Sequence, residues 1–400
     1  MRAVRRGLAS KAVSETQRAD LVVVGAGVIG LAIAWRARRA GMSVTVLERV
    51  RAGAGASSVA AGMLAPVAEV EFGEAGRRAL ELGLRSAQMW PSFATELEAA
   101  SQLRLGLMRS GTLLLARDDD DAGELERQLE LRESLGLRVR RLLPSRAREL
   151  EPALAPSVRL ALEVADDHAV DPRAVLAALT RACAQAGVEL RERSPVARVL
   201  LDDAGERVEG VELEDGELCA AGRVVLATGA WSERIAGLPH GRSAPVRPVK
   251  GQTVRLRDPA GAGLVGRVLR FRGGYLVPRQ DGAYVLGASV EERGFDTAAT
   301  AGAVYELLRD AHELVPGLDE LQIEELCVGL RPGTPDNLPC IGAAGAGGVL
   351  WAAGHYRNGV LLAPLTAALV VELLRGGTSD PALSLCAPER FAGAALGAAA

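Results

Sequence analysis

Aromatic side chains make up only 3% of this 400-residue chain, so its interior must be packed mainly from Ala, Leu and Val. There are four histidines, none at metal-ligand spacing or in the setting of a catalytic triad, and no metal site is expected. The five cysteines, at 183, 219, 327, 340 and 386, are odd in number and scattered. That argues against a disulfide framework and for a reducing cytoplasm. A formal net charge of −3 gives no electrostatic reason to expect nucleic acid or an anionic membrane as partner. The most apolar run, Val360 to Leu374, is too short to span a membrane and carries Pro364 and Glu372. It reads as a buried helix starting just before Pro364, because proline is tolerated in a first helical turn. Residues 1–18 are basic without the apolar stretch of a secretion signal and read as a disordered tail, as do the Ala/Gly-rich residues 390–400.

What is present begins with Leu21-Val22-Val23-Val24, a short β-branched run of the kind that forms a buried parallel strand. Gly25, Gly27 and Gly30 follow as G-x-G-x-x-G around Val28 and Ile29. The first glycine permits a tight turn, the second lets the backbone approach a pyrophosphate, and the third allows close helix–strand packing. The helix expected over Gly30 to Arg39 turns its free N–H groups and positive dipole end to the phosphates. Glu48, at the end of a second strand over 43–47, can accept hydrogen bonds from a ribose and disfavours a 2′-phosphate. The strand, helix and acid around the motif argue for dinucleotide binding but do not separate FAD from NAD. Arg51 to Met63 contains almost no large side chains, and its backbone, including Ser57, Ala61 and Gly62, can lie against a flat ligand. Arg223 to Trp231, a strand ending in Thr228-Gly229-Ala230-Trp231, is a further nucleotide-site candidate.

A chain of this length suits two joined domains. Helices are expected over 77–97, 123–135, 171–187 (capped by Asp171, with Pro172 at its first position) and 300–314. Strands are expected over 111–116, 196–201, 208–213 and 224–227. The acidic run Asp118 to Asp121 reads as a solvated turn capping the next helix.

Ala60-Ala61-Gly62-Met63-Leu64-Ala65-Pro66, Pro248-Val249-Lys250-Gly251-Gln252, Tyr275-Leu276-Val277-Pro278-Arg279, Gly329-Leu330-Arg331-Pro332-Gly333-Thr334 and Ala353-Gly354-His355-Tyr356-Arg357-Asn358-Gly359-Val360 occur in this order. Together they resemble the D-amino-acid-oxidase-like flavoproteins, and most closely their glycine-oxidase branch. The resemblance implies an α/β fold, α+β in the substrate part: a Rossmann-like FAD-binding domain (19–75, 161–240 and 325–376) interleaved with a mixed-sheet substrate domain (76–160 and 241–324). It implies that Arg331 holds the substrate carboxylate with help from the Tyr275 hydroxyl, that Arg357 lies near flavin and substrate, and that Met63 lines the pocket beside the flavin ring. Glu48 is expected on the adenosine ribose and Val196 on the adenine half. Gly354, Asn358, Gly359 and Val360 are expected around the flavin. A methionine of the family falls at Val290, which reshapes the pocket.

The implied cofactor is non-covalent FAD, since the covalent attachment point of some sarcosine oxidases falls near Gly329 rather than at Cys327. The implied activity is oxidation of glycine, or of sarcosine or D-alanine, by O2 to an imine and hydrogen peroxide. The implied setting is thiamine biosynthesis, in a homo-oligomer. A sarcosine oxidase or a D-amino-acid oxidase or dehydrogenase is the alternative within the family; an NAD-dependent dehydrogenase and a non-catalytic flavin-binding protein stand outside it. Read from chemistry alone, Arg331 offers a planar fork matched to a carboxylate. Its turn context is also compatible with a surface residue, as is that of Tyr275 with a strand position.

Overall fold

The computed structural model describes residues 18–239, 243–261 and 263–391; of the tail expected over 1–18 all but Arg18 lies outside these, as do the residues from 392, and Arg18 donates to the Ala221 carbonyl at 3.2 Å. Arg390, placed at the start of the C-terminal tail by its neighbours' composition, is instead anchored: its Nε donates to Asp336 Oδ2 at 2.8 Å.

A six-stranded sheet has the order 340–343, 349–353, 224–226, 21–24, 44–47, 189–191, and it is parallel except for the 340–343 edge. Its strands 21–24, 44–47 and 224–226 are buried on both faces. Leu21 and Val23 pack against the helices Val28–Arg39, Gly73–Ser101, Pro172–Ala186 and Gly359–Leu374. Val22 and Val24, pointing the other way, pack against the antiparallel meander Val196–Leu201, Val208–Leu213 and Leu218–Ala220. This two-sided burial is why the strand reads as an unbroken apolar run rather than an alternation.

Asp171 caps the helix Pro172–Ala186 by accepting from Arg173 N, and Gly187 closes it in the left-handed conformation. Pro364 does not open its helix, which begins at Gly359. The proline removes one backbone bond, and the Leu361 carbonyl beside the break accepts from Ser86 Oγ (2.6 Å) and Trp90 Nε1 (2.9 Å). The acidic run likewise differs from expectation. Asp118 caps the helix Asp119–Ser134, but Asp121 is buried and paired with Arg117 at 3.0 Å.

The second sheet has eight strands in the order 322–333, 247–257, 283–287, 274–278, 268–271, 112–116, 160–164, 140–142. The boundaries expected at 161 and 325 cut through two of these strands, Leu160–Val164 and Gln322–Gly333. Their flanking composition did not show which sheet they would join; their pairing does. One face, with Leu113, Leu269, Leu276, Leu286 and Leu256, packs on the helix Ala301–His312. The opposite face is the floor of the cavity described next.

Candidate active site

Register puts the cavity residues on one face. Arg270 pairs with Tyr275, Tyr275 with Gly287, Gly287 with Thr253, and four residues along the same strand Val249 pairs with Arg331. Directly paired residues share a face and alternate residues return to it. Arg270, Tyr275, Gly287, Thr253, Gly251 and Arg331 therefore all project to the same side.

Two glycines clear that floor. A Cβ on Gly251 would overlap the Arg331 guanidinium, and one on Gly287 would come within 2.7 Å of the Tyr275 hydroxyl. Arg331 thus lies over the neighbouring strand 247–257 and Tyr275 over the strand 283–287, which sets the guanidinium beside the hydroxyl. One end of the guanidinium is fixed: Arg331 Nη1 donates to the carbonyls of Ser289 (3.0 Å) and Lys250 (3.3 Å). Burial lowers the pKa of Arg331, and Tyr275 beside it opposes that. Burial raises the Tyr275 pKa against the pull of three arginines, so its hydroxyl keeps its proton.

Lys250 is fully buried and holds the loop that follows the floor. Its Nζ is 2.6 Å from Asp296 and 3.8 Å from Glu291, and Glu291 also accepts from Ser289 Oγ (2.6 Å) and Gln252 Nε2 (2.7 Å). Ser289, which orients Arg331, is thereby tied to a lysine the fold has removed from water. Val290 on this loop lines the cavity and is half exposed.

The cavity over the floor has a volume of about 250 Å³. Met63, Ala61, Gly62, Arg357, Asn358 and Val360 complete its wall. It continues through Val28, Ala56, Ser57, Tyr356 and Gly359 into a second cavity of about 260 Å³. That one is lined by Gly25, Gly27, Ile29, Glu48, Val196, Thr228, Gly229 and Trp231. Gly30 and Gly354 lie behind these walls. A Cβ on Gly30 would collide with the Gly25 carbonyl, and one on Gly354 with the Thr334 side chain. Glu48 accepts from Ala26 N (2.9 Å) and Val50 N (3.0 Å), so the acid shapes the glycine turn itself. Ser57 Oγ accepts from Val28 N at the helix start (3.1 Å). Arg49, its guanidinium 3.6 Å from the Trp231 ring centre, adds a wall residue that sequence did not single out.

The combination decides the cofactor question: a long groove begins at the glycine turn and ends over an arginine–tyrosine floor, and residues 20–373 match the family model of FAD-dependent oxidoreductases. The chain belongs to the FAD-dependent oxidoreductase family. It is 36% identical to a glycine oxidase of Geobacillus kaustophilus over 90% of this chain and 93% of that one. It is also 36% identical to the bifunctional protein ThiO/ThiG of Trichormus variabilis, over 93% of this chain and 55% of that protein. The crystal structure of glycine oxidase from Geobacillus kaustophilus superposes with a TM-score of 0.85, covering 94% of this chain and 99% of the other. The chemistry of the groove suits FAD in this family member: a glycine-cleared turn at a helix N-terminus for pyrophosphate, and a side-chain-poor wall at 60–63 for a flat ring.

Sequence reasoning passed over Arg270 and Glu69, which line the substrate end and form an ion pair. The available signal was a charged residue inside the apolar strand Val268-Leu269-Arg270-Phe271. It also passed over Gly251 and Gly287 as floor positions, because only cross-strand register reveals what they face. His355 is buried, hydrogen-bonded to Thr366 (2.9 Å) and held neutral, its pKa pushed down to about 3 by burial. It is a structural residue of the helix approach and does not reach the cavity floor.

Proposed function

We propose that this protein oxidises glycine or a similarly small amino acid with non-covalently bound FAD and oxygen. The observation that carries the reading is the Arg331–Tyr275 pair, laid across two glycines at the end of a dinucleotide groove. Arg331 presents the free part of its fork to an α-carboxylate and Tyr275 adds a hydroxyl. With the carboxylate fixed at two points, Cα is held in one orientation. Bound FAD supplies the acceptor for the Cα hydride and, through O2, the route to hydrogen peroxide.

The substrate's nitrogen enters as a neutral amine and its lone pair forms the C=N bond as hydride leaves. No side-chain base is required, consistent with a neutral, buried His355. The imine product of glycine adds water to give glyoxylate and ammonia, or is consumed as imine in thiamine thiazole synthesis. All five cysteines are free and none lines either cavity, which supports non-covalent FAD and a cytoplasmic setting. Among the described residues no helix is long and apolar enough to cross a membrane.

The test is an anaerobic visible spectrum of the FAD-loaded protein before and after glycine. Bleaching that reverses in air is the expected result. Bands that persist with glycine, sarcosine and D-alanine alike would overturn the reading.

A further inference from the structure

Two arginines elsewhere in this protein are well supplied with protein acceptors. Arg132 donates to the carbonyls of Val67 (3.0 Å), Ala68 (2.9 Å) and Gln128 (2.8 Å). Arg117 reaches Asp121 (3.0 Å), Asp310 (3.1 Å) and Glu313 (3.4 Å). The substrate cavity is different. Three guanidiniums line it, from Arg270, Arg331 and Arg357, against the single carboxylate of Glu69. Among the described residues, Arg270 has Glu69 as its one polar partner, although a guanidinium carries five N–H donors. Arg357 stacks on Tyr356, 5.2 Å from the ring centre, and among the described residues has no carboxylate or carbonyl partner. One carboxylate against three guanidiniums leaves two positive charges uncompensated in a partly desolvated cavity. Buried charges normally persist only where they are paired.

An amino acid's α-carboxylate answers to one of the two. Arg331 is the arginine prepared for it, with its orientation fixed by Ser289 and Lys250. The strand order then matters. Arg270 stands on 268–271 and Arg331 on 322–333, four strand steps apart across the sheet, or roughly 19 Å of backbone. Tyr275 stands between them, next to Arg270 in register. The two cations therefore enter the cavity from strands on either side of Tyr275.

Resting on the oxidase reading above, we infer that this site is built for amino acids carrying a second carboxylate, with the α-carboxylate on Arg331 and the second on Arg270, assisted by Arg357. Glu69 is the internal stand-in for that second carboxylate and yields its place on Arg270 when such a substrate binds.

The test compares two probes on the FAD-loaded protein that differ only by the second carboxylate: iminodiacetate, a secondary amine with two carboxylates, and sarcosine, with one. Two readouts are taken, kcat/KM in air and ligand-induced change of the visible flavin spectrum under anaerobic conditions, the second of which registers binding without turnover. The expected result is a preference for iminodiacetate of tenfold or more. Arg270→Met should remove that preference, while Arg270→Lys keeps part of it. Glu69→Gln, which deletes the competing carboxylate, should raise the iminodiacetate-to-sarcosine ratio; a purely structural Arg270–Glu69 pair would not give that sign.

A native preference for sarcosine, or an unchanged ratio in both Arg270→Met and Glu69→Gln, overturns the inference. Glycine bleaching together with iminodiacetate indifference sinks the second-carboxylate site alone. Indifference to every amino acid sinks the oxidase reading, and the spectral titration then decides the two-carboxylate site on binding.

Discussion

The two ends of the groove are made in different ways. The nucleotide end is built largely from backbone and small residues: a glycine turn and a helix start within residues 24–57 of one strand–helix–strand unit, joined by residues 194–197, the 227–231 stretch and residues between 352 and 359. The substrate end is built from side chains that reach across strands. Arg331, Tyr275 and Arg270 come from three strands of the eight-stranded sheet, and each is useful only because of what lies on the strand beside it. Damage to the first end should cost cofactor and fold together. Damage to the second should leave the cofactor in place and cost substrate.

The sharpest contrast pairs Gly30→Ala with Arg331→Ala. At Gly30 the added methyl collides with the Gly25 carbonyl, which the turn cannot move. The expected result is a fall of about 3 kcal/mol or more in unfolding free energy and near-complete loss of bound FAD. Denaturant melts and flavin absorbance per polypeptide would measure both. Full FAD occupancy in this variant would break the comparison.

Arg331→Ala should keep FAD and the melting profile while raising KM for the amino acid by about 30-fold to 1,000-fold, equivalent to about 2–4 kcal/mol for a truncated, charge-assisted pair. An unchanged KM in steady-state assays would remove Arg331 from the carboxylate role.

Gly251→Ala sharpens the point that the floor is set by what lies beneath a side chain. The methyl must displace the Arg331 guanidinium, which is the far end of a flexible chain, so the protein should fold and bind FAD. KM should rise about tenfold, the kinetic equivalent of about 1.4 kcal/mol. Wild-type kinetics in Gly251→Ala would mean that Arg331 has room the structure does not give it.

The smallest effect concerns pH, and the two ends respond with opposite sign. Asp167 clasps the segment leading to Glu69, accepting from Val67 N (3.3 Å) and Ala68 N (2.6 Å). Burial raises its pKa to about 7, against those two hydrogen bonds and Arg132. Below its unfolded value of 3.8 both states hold the proton. From there up to about 7 only the folded state does, so its contribution to stability falls as pH rises. His355, at the approach to the helix beside the cofactor groove, has its pKa lowered from 6.5 to about 3. Its contribution is fully present above 6.5 and is lost as pH falls toward 3. Each slope is roughly 1 kcal/mol per pH unit in its window. Between pH 4 and 6.5, where both windows overlap, stability measured by urea should rise more with pH in Asp167→Asn and rise less, or fall, in His355→Gln. Parallel curves for both variants would refute the assignment.

Much of the nucleotide end was legible because its signals are local. The strand Leu21–Val24, the glycine spacing, Glu48 and the capped helix after Asp171 each depend on residues within one or two turns of chain. The helix at Pro364 misled because the contacts that hold its first turn, Ser86 and Trp90 on the Leu361 carbonyl, lie far away in sequence. Asp121 misled because its partner Arg117 and the sheet that buries it cannot be seen in an acidic run. Arg331 and Tyr275 could be named by family resemblance, but nothing near them in the chain says that they touch.

The sequence by itself determined a dinucleotide turn, the apolar strands and helices around it, and a set of arginines whose chemistry suits carboxylates. The tertiary structure decided which arginines face one cavity, which are saturated by protein carbonyls, and that Gly251 and Gly287 leave space for a guanidinium and a hydroxyl to meet. The physical reason is range. Turn conformation and helix capping are settled by neighbours in the chain, whereas the facing of a side chain on a sheet is settled by register with strands far away in sequence, where a shift of one residue would turn it to the other side.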